Sequence, residues 1–149
     1  MSGPSVIAAK IALLTHAVTA GVLLGSLTHL WLVCERGAPR AALKRTYASV
    51  ALTCWGILFA LGAVMYPRYR VHVRAEQLDV YARWAAKLFD LKENLALIAG
   101  VLLFAVWFMR SIEGSPAQAH AMRWCVRSAA LIVWFVALSG LLVTSVSSV

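Results

Sequence analysis

Four histidines, His16, His29, His72 and His120, are the residues of this 149-residue chain best suited to chemistry. An imidazole can ligate haem iron or carry a proton, and inside an apolar stretch it is costly unless it has a partner. His16 and His29 lie in the same apolar segment, separated by a chain length that on a straight helix turns one about 220° from the other. Two haems stacked in one bundle are held by histidines on one helix face, about 14 residues apart. A two-haem arrangement is therefore disfavoured, a single haem stays open, and His16, an intramembrane imidazole that needs a partner, is a candidate functional residue. His120 shares a membrane side with His29, and the two form the one His pair expected at comparable depth for bis-His ligation. His72 belongs to the opposite side.

Lys92 and Glu93 open the third apolar segment at the depth where Lys10 and His16 lie in the first. A polar pocket on that face, with Arg68 and Arg70 nearby, would hold an acidic group such as a haem propionate, or a quinone-like or anionic substrate. The same charges have a second reading. Asp90 and Glu93 pair with Arg83, Lys87 or Lys92 at helical spacing, and the arginines from Arg68 to Arg74 touch lipid phosphates. Cys34, Cys54 and Cys125 are scattered singly, without CxxC spacing, and read as small packing residues rather than zinc ligands or disulfide partners. HExxH, GxxxxGK[ST] and GxGxxG are all missing, which excludes zinc metalloprotease and soluble nucleotide chemistry.

The elements that must position these residues are four apolar blocks, 11–34, 46–66, 94–109 and 128–146, each bounded by basic or turn-forming residues. Hydrophobic residues make up 62% of the chain and charged residues 13%, a balance far from that of a soluble domain. A bilayer core about 30 Å thick needs roughly 20 apolar residues as helix, so the chain holds four spans and little else. The expectation is an all-α fold, a bundle of four transmembrane helices with an interfacial extension before the third. It forms one integral membrane domain with spans at about 6–34, 46–66, 87–110 and 118–146. The first block is too long for a signal peptide and carries no small-x-small cleavage site, so it is read as a retained span.

Along the first span Ala17, Gly21, Gly25 and His29 recur every four residues, a small-residue stripe that predicts a tight helix neighbour. In the second, Gly56, Ala60 and Gly62 are the expected close-contact positions, and Pro67 ends the helix. From Tyr66 to Arg74 charged or His residues alternate with Tyr or Val, which predicts an extended stretch with Arg68, Arg70, His72 and Arg74 on one side. Asp79 reads as the N-cap of one continuous helix over about 80–109, about 45 Å long, whose first turns project into the interface. Trp84, Tyr66, Tyr69 and Tyr81 suit the head-group level. The last helix is expected to start near Pro116, after Gly114 and Ser115.

The net charge of +8 resides in basic residues at block ends, not in a run interleaved with aromatics. Nucleic acid is excluded as a partner and anionic lipids are the natural counter-charge. Lys and Arg number seven on each side of the membrane, so the positive-inside rule assigns no orientation. A homo-oligomer or a larger membrane complex is compatible with the small-residue stripe, and a short chain with no eukaryotic sorting signal points to a bacterial inner membrane.

A His in helix 1 followed by small residues, a second helix ending at Gly, a Lys opening helix 3 and a featureless fourth helix resemble the HemJ-type protoporphyrinogen oxidases and CopD-like membrane proteins. The resemblance covers the span order of most of the chain. It implies that His16 ligates a haem b and that Lys92 is functionally important. The chain differs from that pattern in having Ala20 and Gly21 where a Trp follows the helix 1 His, and in a longer, more charged connection after helix 2. Three function classes follow: a haem b protein in electron transfer or porphyrin oxidation, a non-enzymatic subunit of a larger membrane complex, and a small-solute transporter. The last is disfavoured by spans that contain no proline break.

Overall fold

A computed structural model describes residues 4–36, 41–68, 70, 79–110 and 115–147 of the protein. The elements in order are α1 (Pro4–Glu35), α2 (Ala41–Arg68), a single turn α3 (Asp79–Tyr81), α4 (Arg83–Met109) and α5 (Pro116–Ser147). Four of them are long and apolar enough to cross a membrane, which makes this an integral, multi-pass, all-α membrane protein. Around the bundle each long helix packs on the next, α1 on α2, α2 on α4, α4 on α5 and α5 back on α1. The ends of α1 and α4 therefore lie with the starts of α2 and α5, which we call the Glu35 end; the opposite one is the His16 end.

Local chemistry sets the boundaries. The Ser115 hydroxyl accepts a hydrogen bond from the Gln118 backbone N–H at 3.3 Å, so Ser115 caps α5 and Pro116 takes the first-turn position where a missing N–H costs nothing. Helix α2 runs through Pro67 to Arg68, so Tyr66 and Pro67 are helical rather than extended. Of the rest of the expected extended stretch Arg70 is described, while 69 and 71–74, with His72 and Arg74, lie outside the described residues. The continuous helix expected over 80–109 is interrupted at Ala82, which has φ −145° and ψ 59° and no side-chain cap, and Asp79 is the first residue of the preceding turn rather than an N-cap. Ala82 is buried beside Ala85, Ala86 and Phe89 of α4 and Val143 of α5, while the turn before it, with Val80 and Tyr81, stays exposed.

The main core occupies the Glu35 half. Leu23, Leu27 and Leu30 of α1, Ala48 and Ala51 of α2, Ala99, Leu103 and Val106 of α4, and Val126, Ala129 and Ala130 of α5 close it, and the hydroxyl of the buried Ser26 is satisfied by donating to the Leu23 carbonyl at 3.1 Å. Lipid tails are as apolar as leucine, so association within the bilayer rests on close packing, and here alanines bring the backbones together. The glycines do not. A Cβ built on Gly21, Gly25, Gly56 or Gly62 would meet nothing within 4 Å, so among the described residues the tight neighbour expected for the Ala17–Gly21–Gly25–His29 stripe is not found at its glycines, and only His29 meets another helix, stacking on Tyr47 of α2. Relative to Leu23, Gly21 and Gly25 point about 160° away, toward the outside of the bundle. The close approach falls instead at Gly100, where a Cβ would sit inside the van der Waals shell of the Trp55 indole. Trp55 is fixed there by donating its indole N–H to the Ala96 carbonyl at 2.9 Å.

Candidate functional site

Helical phase decides which polar side chains face inward. On α1, His16 precedes Leu23 by seven residues and so continues the stripe of Leu23, Leu27 and Leu30 toward the His16 end. On α4, Lys92 lies on the stripe of Phe89, Ala99, Leu103 and Val106, and on α5 Gly140 continues that of Val126 and Val133. The apolar core thus gives way, moving along the bundle, to a level at which His16, Lys92 and Gly140 take the inward positions.

The Lys92 ammonium lies 3.8 Å from the position of a Cβ on Gly140 and 4.4 Å from the Phe89 ring centroid. Packing is open at this level. Lys92 is half-buried and His16 exposed although both sit on inward stripes, and residues 10–18 of α1 contribute nothing to either apolar cluster. We call this loosely packed level, with His16 of α1, Lys92 of α4 and Gly140 of α5 on inward stripes, the His16–Lys92 notch. A nitrogen ligand and a cation at one level of a bundle suit a ligand that has a metal or proton-accepting centre and an acidic substituent.

The other predicted site residues are distributed elsewhere. His29 is exposed; its Nδ1–H donates to the Gly25 carbonyl at 2.8 Å and its ring stacks on Tyr47 of α2 at 5.7 Å. His120, near the start of α5, accepts the Trp124 indole N–H on Nε2 at 2.8 Å. The expected His29–His120 pair does not share a depth. Trp134 reaches Thr28 at 3.1 Å and Arg127 reaches Glu35 at 2.6 Å, which sets His29 level with about residue 133 of α5. His120 is then about 20 Å further along the axis at 1.5 Å per residue. Arg68 closes α2 at the His16 end, and Arg70, just beyond it, is exposed. Among the described residues no three His, Cys, Asp or Glu side chains converge as a metal site. Cys34 and Cys54 are buried, free and part of the apolar core.

At the Glu35 end a second polar cluster ties the helices together. Glu35 accepts hydrogen bonds from Arg127 and from the Trp31 indole, joining α1 to α5. Arg110 of α4 donates to the Arg45 carbonyl at 3.1 Å and to the Ser49 hydroxyl of α2, and its guanidinium lies over Trp107. Sequence reasoning found neither clasp, nor Gly140. The first two join residues distant in sequence, and Gly140 becomes visible only once α5 is phased by its core residues. No known protein family profile, curated protein or solved structure matches the chain.

Proposed function

We propose that this protein is a small haem b protein of the membrane, acting in electron transfer or porphyrin oxidation and residing in a bacterial inner membrane. His16 is the proposed axial ligand of the iron and Lys92 the partner of an acidic substituent. The observation that carries the reading is the inward phase of His16 and Lys92 at a level where the bundle is unfilled. Gly140 gives the Lys92 ammonium its place beside α5, and Phe89 offers a ring face next to it. A haem held there would supply one-electron redox chemistry. The resemblance of His16 and Lys92 to the His and Lys of HemJ-type and CopD-like proteins supports the same assignment. His29 and His120 are not proposed as a bis-His pair, since their depths differ.

The test is the visible spectrum of the detergent-purified protein, air-oxidised and then reduced with dithionite. A Soret band that shifts on reduction is expected, lost in His16→Ala and retained in His29→Ala and His120→Ala. A colourless, folded protein from haem-replete cells would overturn the reading. A second reading, a non-enzymatic subunit of a larger membrane complex, is favoured by one observation: the Gly21 and Gly25 surface of α1 faces outward with space for another helix. Co-purification of a stable partner with the colourless protein would support it.

A further inference from the structure

The Glu35 end holds a groove of about 230 Å³ lined by Glu35, His120, Arg123, Trp124 and Arg127, remote from the His16–Lys92 notch. Its hydrogen-bonding capacity is one-sided. An indole N–H only donates, so His120 must accept from Trp124 on Nε2, which places the proton of the neutral ring on Nδ1 and leaves that N–H as a donor. Arg127 spends one N–H on Glu35, while its Nε–H is buried without a partner. Arg123 is exposed at the same rim. Among the described lining residues the carboxylate, Glu35, already takes bonds from Arg127 and Trp31. What remains is a set of donors carrying positive charge, and such a set recognises an oxyanion.

Its position in the membrane says which oxyanion. Trp124, half in the open, stacks under the Arg127 guanidinium at 5.1 Å on the first turns of a membrane-crossing helix, the depth at which indoles and cations meet lipid head groups. We propose that this groove is a binding site for the phosphate of one anionic phospholipid, held by Arg123, Arg127 and His120, with its acyl chains lying along the exposed Leu131 and Trp134 side of α5. The site is independent of the haem reading and is measurable on colourless protein.

The experiment is a titration of the full chain, purified in neutral detergent with phosphatidylcholine, with phosphatidylglycerol, and bound lipid counted by native mass spectrometry. One tightly held phosphatidylglycerol is expected, with affinity roughly tenfold weaker in Arg123→Gln, the loss of a charge-assisted contact. Arg36→Gln, an exposed charge at the same end outside the groove, is the control and is expected to bind as the parent does. Equal binding by the parent and Arg123→Gln would overturn the site, and equal weakening by Arg123→Gln and Arg36→Gln would reduce it to bulk surface charge. Inorganic phosphate binding as tightly as the lipid would overturn the lipid assignment in favour of a free anion.

Discussion

Glycines at different positions of this chain do opposite things, and the difference lies in what faces each Cα. Gly100 is buried under the Trp55 indole, which is itself anchored to the Ala96 carbonyl one turn away. An indole held by a hydrogen bond and stacked on Phe59 at 5.2 Å cannot yield as a flexible chain end would. Gly100→Ala must push α2 and α4 apart or break the Trp55 bond, and a destabilisation of about 1–3 kcal/mol is expected from overpacking. Reversible unfolding in mixed detergent, monitored by tryptophan emission, measures it. A variant as stable as the parent would mean that Trp55 does not sit on Gly100. Nothing in the local sequence marks Gly100 as special, because its partner is distant in sequence and the surrounding apolar run reads the same on every face.

At the scale of the helix, the four spans, the Pro116 start of α5 and the interfacial extension before the third span were legible in the sequence, because apolar length and capping chemistry are local properties. The inward face of α1 was not. An almost uniformly apolar helix carries no amphipathic signal, so the small-residue stripe was the only phase marker, and it marks the outward side. His16 and Lys92 were identifiable as polar residues at membrane depth, but their convergence depends on the register of α1 against α4 and α5. His29 and His120, in contrast, were placed together by side alone, and the Thr28–Trp134 and Glu35–Arg127 contacts separate them. The outward stripe yields its own expectation. With open space at Gly21 and Gly25, replacement of either by Ala meets no neighbour and gains up to about 1 kcal/mol of helix propensity. Both variants should unfold at or above the parent's denaturant midpoint in dilute detergent; a marked loss there would show that another helix already packs on this face.

As a whole, the molecule is two unlike halves along the membrane normal. Toward the Glu35 end the four helices close on Leu27, Leu30, Leu103 and Val126, all essentially inaccessible, and the Glu35–Arg127 and Arg110–Ser49 contacts lock the ends. Toward the other end α1 carries Leu13 and Leu14 with 58% and 67% of their surface open, and its inward histidine faces a notch. Such a gradient is what the haem proposal requires, a packed half to fix the geometry and a looser half to admit a ligand. Its energetic signature follows from the solvent. Moving a leucine from lipid to a protein interior gains little transfer energy, so truncation costs mainly the packing it leaves behind. Leu27→Ala opens a cavity inside the closed core and should cost about 2 kcal/mol, whereas Leu13→Ala removes a lipid-facing side chain and should stay within about 0.5 kcal/mol of the parent. Unfolding both variants side by side in the same micelles decides the matter. Equal losses would mean that the first half of α1 is packed as tightly as the second, and the level of His16 and Lys92 would then have no room for a ligand.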